Sequence, residues 1–316
     1  MQLPLVTFFV LGYNQQDWIE QACETALGQD YPNLEVILSD DCSTDQTFER
    51  MQSVASRYSG GHRVRLNRNP HNLGLVGHIN LAFEIAGGEF IVAAAGDDLS
   101  TPQRVSALVA AAHSHGVGAR LVHSDVLTLG AEGARPGLLR PGSLVQRPHD
   151  LAALAGSDRL YIGATGMWHR ELYTAFGPIR EAGSYEDLVL GFRAALLGGL
   201  VYCPNPLVCY RVGVGMSAER RFGLLDLSGR SAFRLRRLRA HVASLRQRAS
   251  DLLSLGRGGE AAEVRSVHAA MRRAQLRLEF HQDLGAFLRG RVLRGPSWEA
   301  LGVLLRESAF VLAARG

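Results

Sequence analysis

Three pairs of neighbouring acidic residues have side chains suited to cation binding or proton transfer. The pairs are Asp40-Asp41, Asp97-Asp98 and Glu186-Asp187. A carboxylate at a strand end can accept hydrogen bonds from a base or a ribose, and Mg²⁺ or Mn²⁺ commonly takes one or two carboxylates plus substrate phosphates. Adjacent aspartates repel each other, so a cation or a proton is expected at Asp97-Asp98. Glu186-Asp187 is the candidate for a general base.

Each pair also has a purely structural explanation. One of the residues 43–45 suits a helix N-cap, and acids in a first helical turn are stabilised by the helix dipole. Residues 96–98 also fit a turn that precedes the next helix. Two adjacent acids ahead of a cap are harder to attribute to capping, which favours a binding role for Asp40-Asp41. The spacing alone leaves both interpretations of Glu186-Asp187 open.

Apolar periodicity predicts alternating strands and helices that would position these acids. The predicted strands are 6–11, 34–39, 64–66, 90–95, 120–123, 160–168 and 200–208, and the predicted helices are 17–29, 44–58, 75–86, 103–114 and 186–197. This alternation predicts an α/β fold with a mostly parallel, Rossmann-like sheet flanked by helices. Ligands of such sheets bind beyond the carboxyl ends of the strands, where the first two acidic pairs fall.

The composition changes after Ser217, where arginines crowd a helical stretch. A second helix is predicted at 260–288, and Pro296 begins a third. We predict a catalytic domain at residues 1–217 and an arginine-rich helical region at 218–316, with the boundary near 217–229. This region could cover the catalytic domain as a solvated bundle, form a homodimer, or dock on an anionic membrane surface. Aromatic residues do not interleave with the arginines, so nucleic-acid binding is not expected.

The overall composition excludes some classes of protein. The chain has 316 residues, 47% of them hydrophobic, and a net charge of +4, and its basic side chains are all arginine because the sequence contains no lysine. P-loop chemistry, which needs a lysine, is therefore excluded. No CxxC pair or zinc spacing is present, so we expect free thiols in a reduced, cytoplasmic setting. The apolar start of the chain is too short for a signal peptide, and no segment is apolar enough to span a membrane.

An ordered series of motifs resembles the family 2 glycosyltransferases over roughly residues 4 to 217. The motifs are Tyr13-Asn14, Gln29-Asp30-Tyr31-Pro32-Asn33, Asp40-Asp41-Cys42-Ser43-Thr44-Asp45, Asn72-Leu73-Gly74, Gly96-Asp97-Asp98, Glu186-Asp187 and Tyr210-Arg211. Their co-occurrence in this order is more specific than any one of them. The resemblance implies the GT-A fold, an inverting mechanism and a nucleotide-diphosphate sugar donor, UDP-sugar in many members. It also implies a saccharide or lipid-linked acceptor of envelope polysaccharide synthesis, which would place the protein on the inner face of the membrane.

The resemblance also assigns roles to individual residues. Asp187 matches the catalytic base, and Asp98 matches the direct ligand of Mn²⁺ or Mg²⁺. The donor-binding positions it implies are Leu11, Tyr13, Asp41, Asn72, Asp97 and Arg211. Trp168, His169 and Glu186 fall in the region that corresponds to the acceptor side, where Trp168 could stack on a sugar, although core packing explains Trp168 at least as well.

One position departs from the family pattern. Relatives often carry a histidine two residues after Tyr-Arg, and here Gly213 stands at that place. A metal would then depend on Asp98, phosphate oxygens and water, and weak or optional metal binding is an open alternative. Arg211 and Ser217 could supply phosphate contacts instead.

Two other functions compete with this interpretation. A sugar-nucleotide nucleotidyltransferase shares a similar sheet, but it usually has a glycine-rich basic loop after the first strand, unlike Tyr13-Asn14-Gln15-Gln16. A non-catalytic nucleotide-sugar-binding scaffold is supported only by Gly213. The intact acids favour an enzyme; they are Asp41, Asp97, Asp98 and Asp187.

Overall fold

A computed structural model describes residues 3–116, 118–129, 137–139, 150–213, 227–294 and 297–312. The loop-rich stretch predicted between 130 and 148 lies mostly outside these residues. Ser217, Pro296 and most of the predicted boundary at 217–229 lie outside them as well. The division into residues 1–217 and 218–316 therefore stays a prediction.

The described strands form one mixed sheet around which the rest of the chain is built. They are β1 (Val6–Gly12), β2 (Leu34–Asp40), β3 (Arg63–Arg68), β4 (Phe90–Ala95), β5 (Leu99–Ser100), β6 (Leu121–Leu129), β7 (Gly137–Leu139), β8 (Met167–His169) and β9 (Leu200–Arg211). Their order is β3-β2-β1-β4-β8-β6-β9-β5, and β7 pairs with β6. Strands β3, β2, β1 and β4 are parallel, whereas β8 runs antiparallel to β4 and β6. This arrangement confirms the predicted α/β class.

Helices cover both faces of the sheet and extend beyond it. They are α1 (Ile19–Leu27), α2 (Thr47–Arg57), α3 (Gly74–Ile85), α4 (Arg104–His115), α5 (Leu151–Ala155), α6 (Glu171–Thr174), α7 (Glu186–Leu196), α8 (Leu227–Ser254), α9 (Ala262–Gln282), α10 (Leu284–Phe287) and α11 (Trp298–Leu312). The five helices predicted in the first 200 residues are present, each within a few residues of its predicted bounds.

Strand β1 shows why the sheet is buried on both faces. Phe9 packs into one hydrophobic core with Ile37 of β2, while Phe8 and Val10 pack into a second core on the opposite face. Successive side chains of a strand point to opposite faces, so a continuous apolar run supplies two cores. The central strands are therefore held between two hydrophobic cores. Because β1, β2, β3 and β4 are parallel, their carboxyl ends lie at the same edge of the sheet.

The prediction of a strand at 160–168 is wrong over most of its length. A 3-10 turn occupies Gly163–Thr165, and only Met167–His169 is a strand. The Gly166 amide donates to the Gly163 carbonyl at 3.2 Å, and the Thr165 hydroxyl donates to the Ile162 carbonyl at 2.7 Å. The two glycines favour a turn because they lack the side chains that stabilise a strand.

The second C-terminal helix is also shorter than the predicted 260–288. It ends at Gln282, because Asp283 has an extended backbone with φ −152° and its Oδ1 accepts a hydrogen bond from the Ala286 amide. Asp283 thus caps the next helix. A π-helix (Leu288–Leu293) then leads toward α11.

Helix α8 packs on α7 through buried polar contacts. Arg193 of α7 and Asp251 of α8 form a bidentate ion pair. Arg193 Nε donates to Asp251 Oδ2 at 2.9 Å and Nη2 donates to Oδ1 at 3.0 Å, and the two side chains are 0% and 2% exposed. Gln247 accepts hydrogen bonds from the amides of Arg180 and Glu181. The inward face of the arginine-rich helix therefore contributes specific hydrogen bonds to the segment that carries α7.

Among the described residues, no helix has the combination of length and hydropathy needed to cross a bilayer.

Replacing Asp251 by Asn should destabilise the protein by about 3–5 kcal/mol, because it leaves the buried Arg193 guanidinium without a counter-charge. Urea unfolding followed by circular dichroism measures the loss. Glu279→Gln is the matched control, since Glu279 pairs with Arg291 at the surface, where side chains are 29% and 52% exposed, and an exposed pair contributes at most about 1 kcal/mol. Equal losses in the two variants would contradict a structural role for the buried pair.

Candidate active site

The carboxyl ends of β1, β2 and β4 bring distant acids to one edge of the sheet. The Asp41 amide donates to the Gly12 carbonyl at 2.9 Å, and the Gly96 amide donates to the Leu11 carbonyl at 2.9 Å. Asp41 follows β2 and Asp97-Asp98 follows β4, on either side of β1. The sequence therefore places two acidic pairs around the end of a single central strand.

Asp41 is buried and held in one orientation. Its Oδ1 accepts hydrogen bonds from Asn69 Nδ2 at 2.7 Å and from the Leu73 amide at 2.8 Å. Asn69 in turn accepts from Asn67, whose amide group also donates to Ser39. A carboxylate fixed in this way can present its remaining acceptor capacity to a ligand such as a nucleotide base.

Two loops beside Asp41 are tied together by side-chain hydrogen bonds. Asn14 accepts from the Thr44 amide at 2.9 Å, and its own amide donates to the Ser43 hydroxyl at 2.9 Å. Asn14 and Cys42 both have positive φ, at 50° and 60°. Non-glycine residues adopt this conformation at an energetic cost, which the surrounding hydrogen bonds offset.

At this edge, where Asp40 Oδ1 is a buried oxygen without a hydrogen bond, Asp98 is also incompletely hydrogen-bonded. Its Oδ1 accepts from the Arg211 amide at 2.8 Å, whereas Oδ2 is buried and makes no hydrogen bond. Burial, together with the neighbouring Asp97 carboxylate, raises the pKa of Asp98 to about 7. Burial also raises the pKa of Asp97, against the opposing charge of Arg211. A buried carboxylate oxygen in this state can accept a proton or a cation.

Arg211 lies directly beside the two aspartates. Its Nε donates to the Asp97 carbonyl at 3.0 Å, and its guanidinium lies 4.0 Å from the centre of the Trp18 ring. A stacked guanidinium keeps its planar donor edge oriented, as phosphate binding requires. Gly213, two residues further, has φ 89°, which a histidine rarely adopts, and Ser217 lies outside the described residues.

A buried arginine connects the Asp98 side of the site to the Glu186-Asp187 side. Arg104 donates to Ser100 at 3.0 Å and to the carbonyls of Ala93 and Ala164, each at 2.7 Å. Burial lowers the pKa of Arg104 to about 9, and the Asp98 carboxylate opposes this shift, so the guanidinium stays charged at neutral pH. Gly163, which precedes Ala164 in the same turn, lies against Glu186 at the start of α7.

Glu186 and Asp187 form the first turn of α7 next to that turn. A Cβ atom on Gly163 would lie 2.2 Å from Glu186 Oε1 and 3.6 Å from Asp187 Cβ, so only glycine allows this approach. Burial, with the Asp187 charge, raises the pKa of Glu186. Burial also raises the pKa of Asp187, while its hydrogen bond to the Leu188 amide and the charge of Arg248 lower it. A raised carboxylate pKa is typical of a catalytic base.

Arg248 of α8 contributes to the surroundings of Asp187. Its guanidinium donates twice to the Leu188 carbonyl, at 2.9 and 2.8 Å, and also to the carbonyls of Leu154, Ala155 and Ser157. Ser244, one turn earlier, accepts from the Tyr185 amide at 3.0 Å. The residues before and after Glu186-Asp187 are thus both held by α8.

The other donor-side residues lie at the same edge of the sheet. Leu11 is half-buried near the end of β1, and Tyr13, just beyond β1, is 45% exposed. Asn72 is exposed in the loop after β3, where its Oδ1 accepts from the Gly74 amide at 2.7 Å. The structure thus brings the donor-side residues together around Asp41 and Asp98.

Trp168 and His169 are not brought to this site. Trp168 is 1% exposed, stacks on Phe83 and donates to the Tyr161 hydroxyl at 3.0 Å, so it has no open face for a sugar. His169 pairs with Phe90, at the amino end of β4, and therefore lies at the sheet edge opposite Asp97. The sequence interpretation overlooked that β8 is antiparallel to β4, which places the carboxyl end of β8 at the amino edge of the parallel strands.

Several residues around the site were missed in the sequence. They are Asn69, His78, Arg104, Ser244 and Arg248. His78 contacts Ser39 Oγ at 2.6 Å behind Asp41, and burial lowers its pKa. A histidine and an arginine within apolar helical stretches were the available signals, because buried polar side chains need specific partners.

The described residues contain no group of three or more histidine, cysteine or acidic side chains that could hold a metal by themselves. Asp98 Oδ2, with Asp97 beside it, is the fitting position for a hard cation. Substrate phosphates and water would complete the coordination, as is common for Mg²⁺ and Mn²⁺. The arrangement can bind a base at Asp41, hold charged phosphates near Asp98 and Arg211, and accept a proton at Asp187.

Residues 7–173 match the family model described as "Glycosyl transferase family 2". The chain is 34% identical over 149 residues to the putative glycosyltransferase EpsE of Bacillus subtilis, which covers 45% of this chain and 52% of that protein. It is 29% identical over 247 residues to the succinoglycan biosynthesis protein ExoO of Rhizobium meliloti, covering 77% of this chain and 67% of that protein. The chain thus spans about half the length of EpsE and two thirds of ExoO.

Solved structures share the fold. S. aureus TarS in complex with UDP-GlcNAc superposes with a TM-score of 0.59 and 17% identity, over 97% of this chain and 81% of that one. The mannosyltransferase PcManGT of Pyrobaculum calidifontis, in complex with GDP-Man and Mn2+, superposes with a TM-score of 0.58 and 21% identity, over 98% of this chain and 81% of that one. These likenesses show the GT-A fold that the motifs predicted.

Replacing Glu186 by Gln should stabilise the protein, and the gain should grow as the pH rises. The folded-state pKa of Glu186 is raised, so the wild type loses stability once the pH exceeds the unfolded value of about 4.3, whereas Gln has no such term. Urea unfolding at pH 4.5 and pH 7.5 measures the difference. Glu24→Gln, at an exposed position, should show no pH-dependent gain, and a Glu186→Gln gain that is equal at both pH values would refute the raised pKa.

Proposed function

Since this chain belongs to glycosyl transferase family 2 and is therefore a glycosyltransferase, we propose that it moves a sugar from a nucleoside diphosphate to an acceptor hydroxyl with inversion. The observation that carries this proposal is the meeting of Asp41, Asp98 and Arg211 at one sheet edge, linked through Arg104 to the turn beside Asp187. Such a transfer needs residues that bind the base and the diphosphate of the donor, and a group that accepts the proton of the acceptor hydroxyl.

The proposed donor is a UDP-sugar. Asp41 is fixed by Asn69 and Leu73 and is available to accept from the N–H of a base, with Leu11, Tyr13 and Asn72 around it. The TarS complex with UDP-GlcNAc supports a uridine nucleotide, whereas the PcManGT complex with GDP-Man shows that the fold also accommodates guanosine. The proposed acceptor is a saccharide or a lipid-linked saccharide of envelope polysaccharide synthesis, by analogy with the succinoglycan relative. Acceptors of this kind would place the reaction on the cytoplasmic side of the membrane.

Departure of the nucleoside diphosphate builds negative charge at the edge where Asp98 and Arg211 lie. A Mn²⁺ or Mg²⁺ ion held by Asp98, with Asp97 beside it, would supply Lewis-acid stabilisation of that charge. The orphaned Oδ2 of Asp98 and the Mn2+ of PcManGT support this assignment. Arg211, stacked on Trp18, can donate to phosphate oxygens.

Asp187 is the proposed general base. Its raised pKa makes it a better proton acceptor than an ordinary aspartate, while the positive charge of Arg248 keeps it ionised near neutral pH. Accepting the proton of the acceptor hydroxyl on the face opposite the leaving group gives inversion at the anomeric carbon. Glu186, buried behind it with a raised pKa of its own, adds no second negative charge while it stays protonated.

A thermal-shift screen of nucleotide sugars with Mn²⁺ or Mg²⁺ tests the donor site. The correct donor should raise the melting temperature of the wild type, because a ligand that binds only the folded state stabilises it by about 2.7 kcal/mol at one hundred times its Kd. Asp98→Asn should lose the part of the shift that depends on the metal. If no nucleotide sugar shifts the melting temperature, the proposed function fails; if the metal effect survives in Asp98→Asn, only the assignment of Asp98 fails.

Replacing Asp187 by Asn should reduce transfer by about 10²–10⁴-fold, because general-base assistance is lost. Donor binding measured by calorimetry should be nearly unchanged. The wild-type rate should fall at acid pH, with an apparent pKa above the usual value of about 3.9 for aspartate. Asp30→Asn, at an exposed position near the opposite sheet edge, is the control and should retain full turnover. Substantial turnover by Asp187→Asn would exclude the assigned role.

A further inference from the structure

Helix α11 presents apolar side chains to solvent on the face opposite its packed side. Ala300 and Val303 pack against Phe280 and Phe287 of the preceding helices. On the outer face Trp298 is 90% exposed and Leu305 is 75% exposed, with exposed Gly302 and Ala309 on the same stripe. The spacing 298, 302, 305 and 309 follows one face of a helix. A tryptophan this exposed is unusual for a side chain of its size, which gains by burial.

Arginines border this apolar stripe. A shallow depression of about 210 Å³ beside Trp298 is lined by Arg273, Arg277 and Arg306, with Glu299 as its one acid. The π-helix before α11 adds exposed Arg289, Arg291 and Arg294 around Leu293, which is 75% exposed. The combination of outward apolar side chains and flanking cations defines what we call the α11 surface, made of Trp298, Leu305, Leu293 and these arginines.

The acids nearby offset only part of this positive charge. Glu307, on the inner face of α11, is fully buried and pairs with Arg234, Arg277 and His281. Glu279 pairs with Arg291 at 2.9 Å. Among the described residues, Arg273, Arg289, Arg294 and Arg306 form no ion pair, so the α11 surface carries a positive excess.

We propose that the α11 surface docks on anionic phospholipid headgroups, with Trp298 and Leu305 in the interfacial layer and the arginines at lipid phosphates. Tryptophan is the side chain most typical of the membrane interface, and each arginine near an anionic leaflet adds attraction. The proposed contact is one with the membrane surface. A dimer through this face would instead bring two sets of arginines together, which like-charge repulsion opposes.

This proposal concerns α11 and not the arginine run of α8. Arg248, on the inward face of α8, donates its hydrogen bonds to backbone carbonyls, and Arg234 pairs with Glu307. The exposed α8 arginines, such as Arg239 and Arg246, lie apart from any exposed large apolar side chain of their own helix turn. They therefore provide matched controls for charge without an apolar anchor.

Co-sedimentation of the full chain with vesicles tests the proposal. The wild type should bind vesicles of phosphatidylcholine with phosphatidylglycerol, bind pure phosphatidylcholine weakly, and release as NaCl rises. Trp298→Ser with Leu305→Ser should reduce the partition coefficient at least about tenfold, since two large apolar side chains are lost. Arg273→Gln with Arg306→Gln should reduce it about twenty-fivefold, at about fivefold for each arginine.

Three comparisons keep the result interpretable. Arg239→Gln with Arg246→Gln, and Leu253→Ser at a position that is 71% exposed on α8, should bind as the wild type does. All variants should retain the thermal shift with the donor, which separates failure of this inference from failure of the proposed function. Tryptophan emission should shift to the blue on vesicle binding, and Trp298→Phe should remove most of that shift.

Equal binding to neutral vesicles, or wild-type binding by the α11 variants, would overturn the proposal. Sedimentation velocity supplies the remaining outcome. If the wild type is a dimer without vesicles and Trp298→Ser with Leu305→Ser makes it a monomer, the α11 surface is a subunit interface and the lipid proposal is wrong.

Discussion

Three arginine guanidinium groups, at Arg104, Arg193 and Arg248, are wholly buried in the protein. A guanidinium does not lose its charge in a protein, so each needs a set of acceptors at fixed positions. Arg104 and Arg248 find theirs mainly in backbone carbonyls of segments far away in the chain, and Arg193 in Asp251. Arg104 therefore joins the end of β4 to the turn beside α7, and Arg193 and Arg248 hold α7 to α8. Lysine, with a compact point charge and no planar fork, could not join as many segments.

The site contains buried carboxyl groups whose charged forms are destabilised by burial and by neighbouring acids. Asp98 has an unsatisfied buried oxygen and a pKa raised to about 7 by burial and by Asp97. Glu186 and Asp187 are buried next to each other with their pKa values raised. Such groups cost stability in the free protein, and a bound cation or proton would relieve that cost. Such a loss of stability is common where a site serves function.

The sequence predicted the elements and the meeting of the acids at one sheet edge because both leave local signals. The period of apolar residues predicted β1, β2, β4 and α7, and ordered motifs singled out Asp41, Asp98 and Arg211, whose roles stay predictions. Arg104 was missed because hydrogen bonds to Ala93 and Ala164 leave no trace in the pattern of helix 103–114. Trp168 was left open between sugar stacking and core packing, and its burial against Phe83 shows core packing, which is set by tertiary contacts. Long-range polar contacts and the direction of strand β8 could not be predicted from the sequence.

The dependence of α7 on α8 has a consequence for synthesis on the ribosome. Ser244, Gln247, Arg248 and Asp251 hold the segment from Arg180 to Arg193, yet they are made some sixty residues later. A nascent chain that has exposed only the sheet would carry the buried Arg193 without its partner and the amides before Glu186 without acceptors. Because domains emerge and fold progressively during translation, the sheet edge that carries Asp41 and Asp98 can form early, while the first turn of α7 must wait for α8. The segment that carries Glu186-Asp187 is thus completed only when most of the polypeptide has left the exit tunnel.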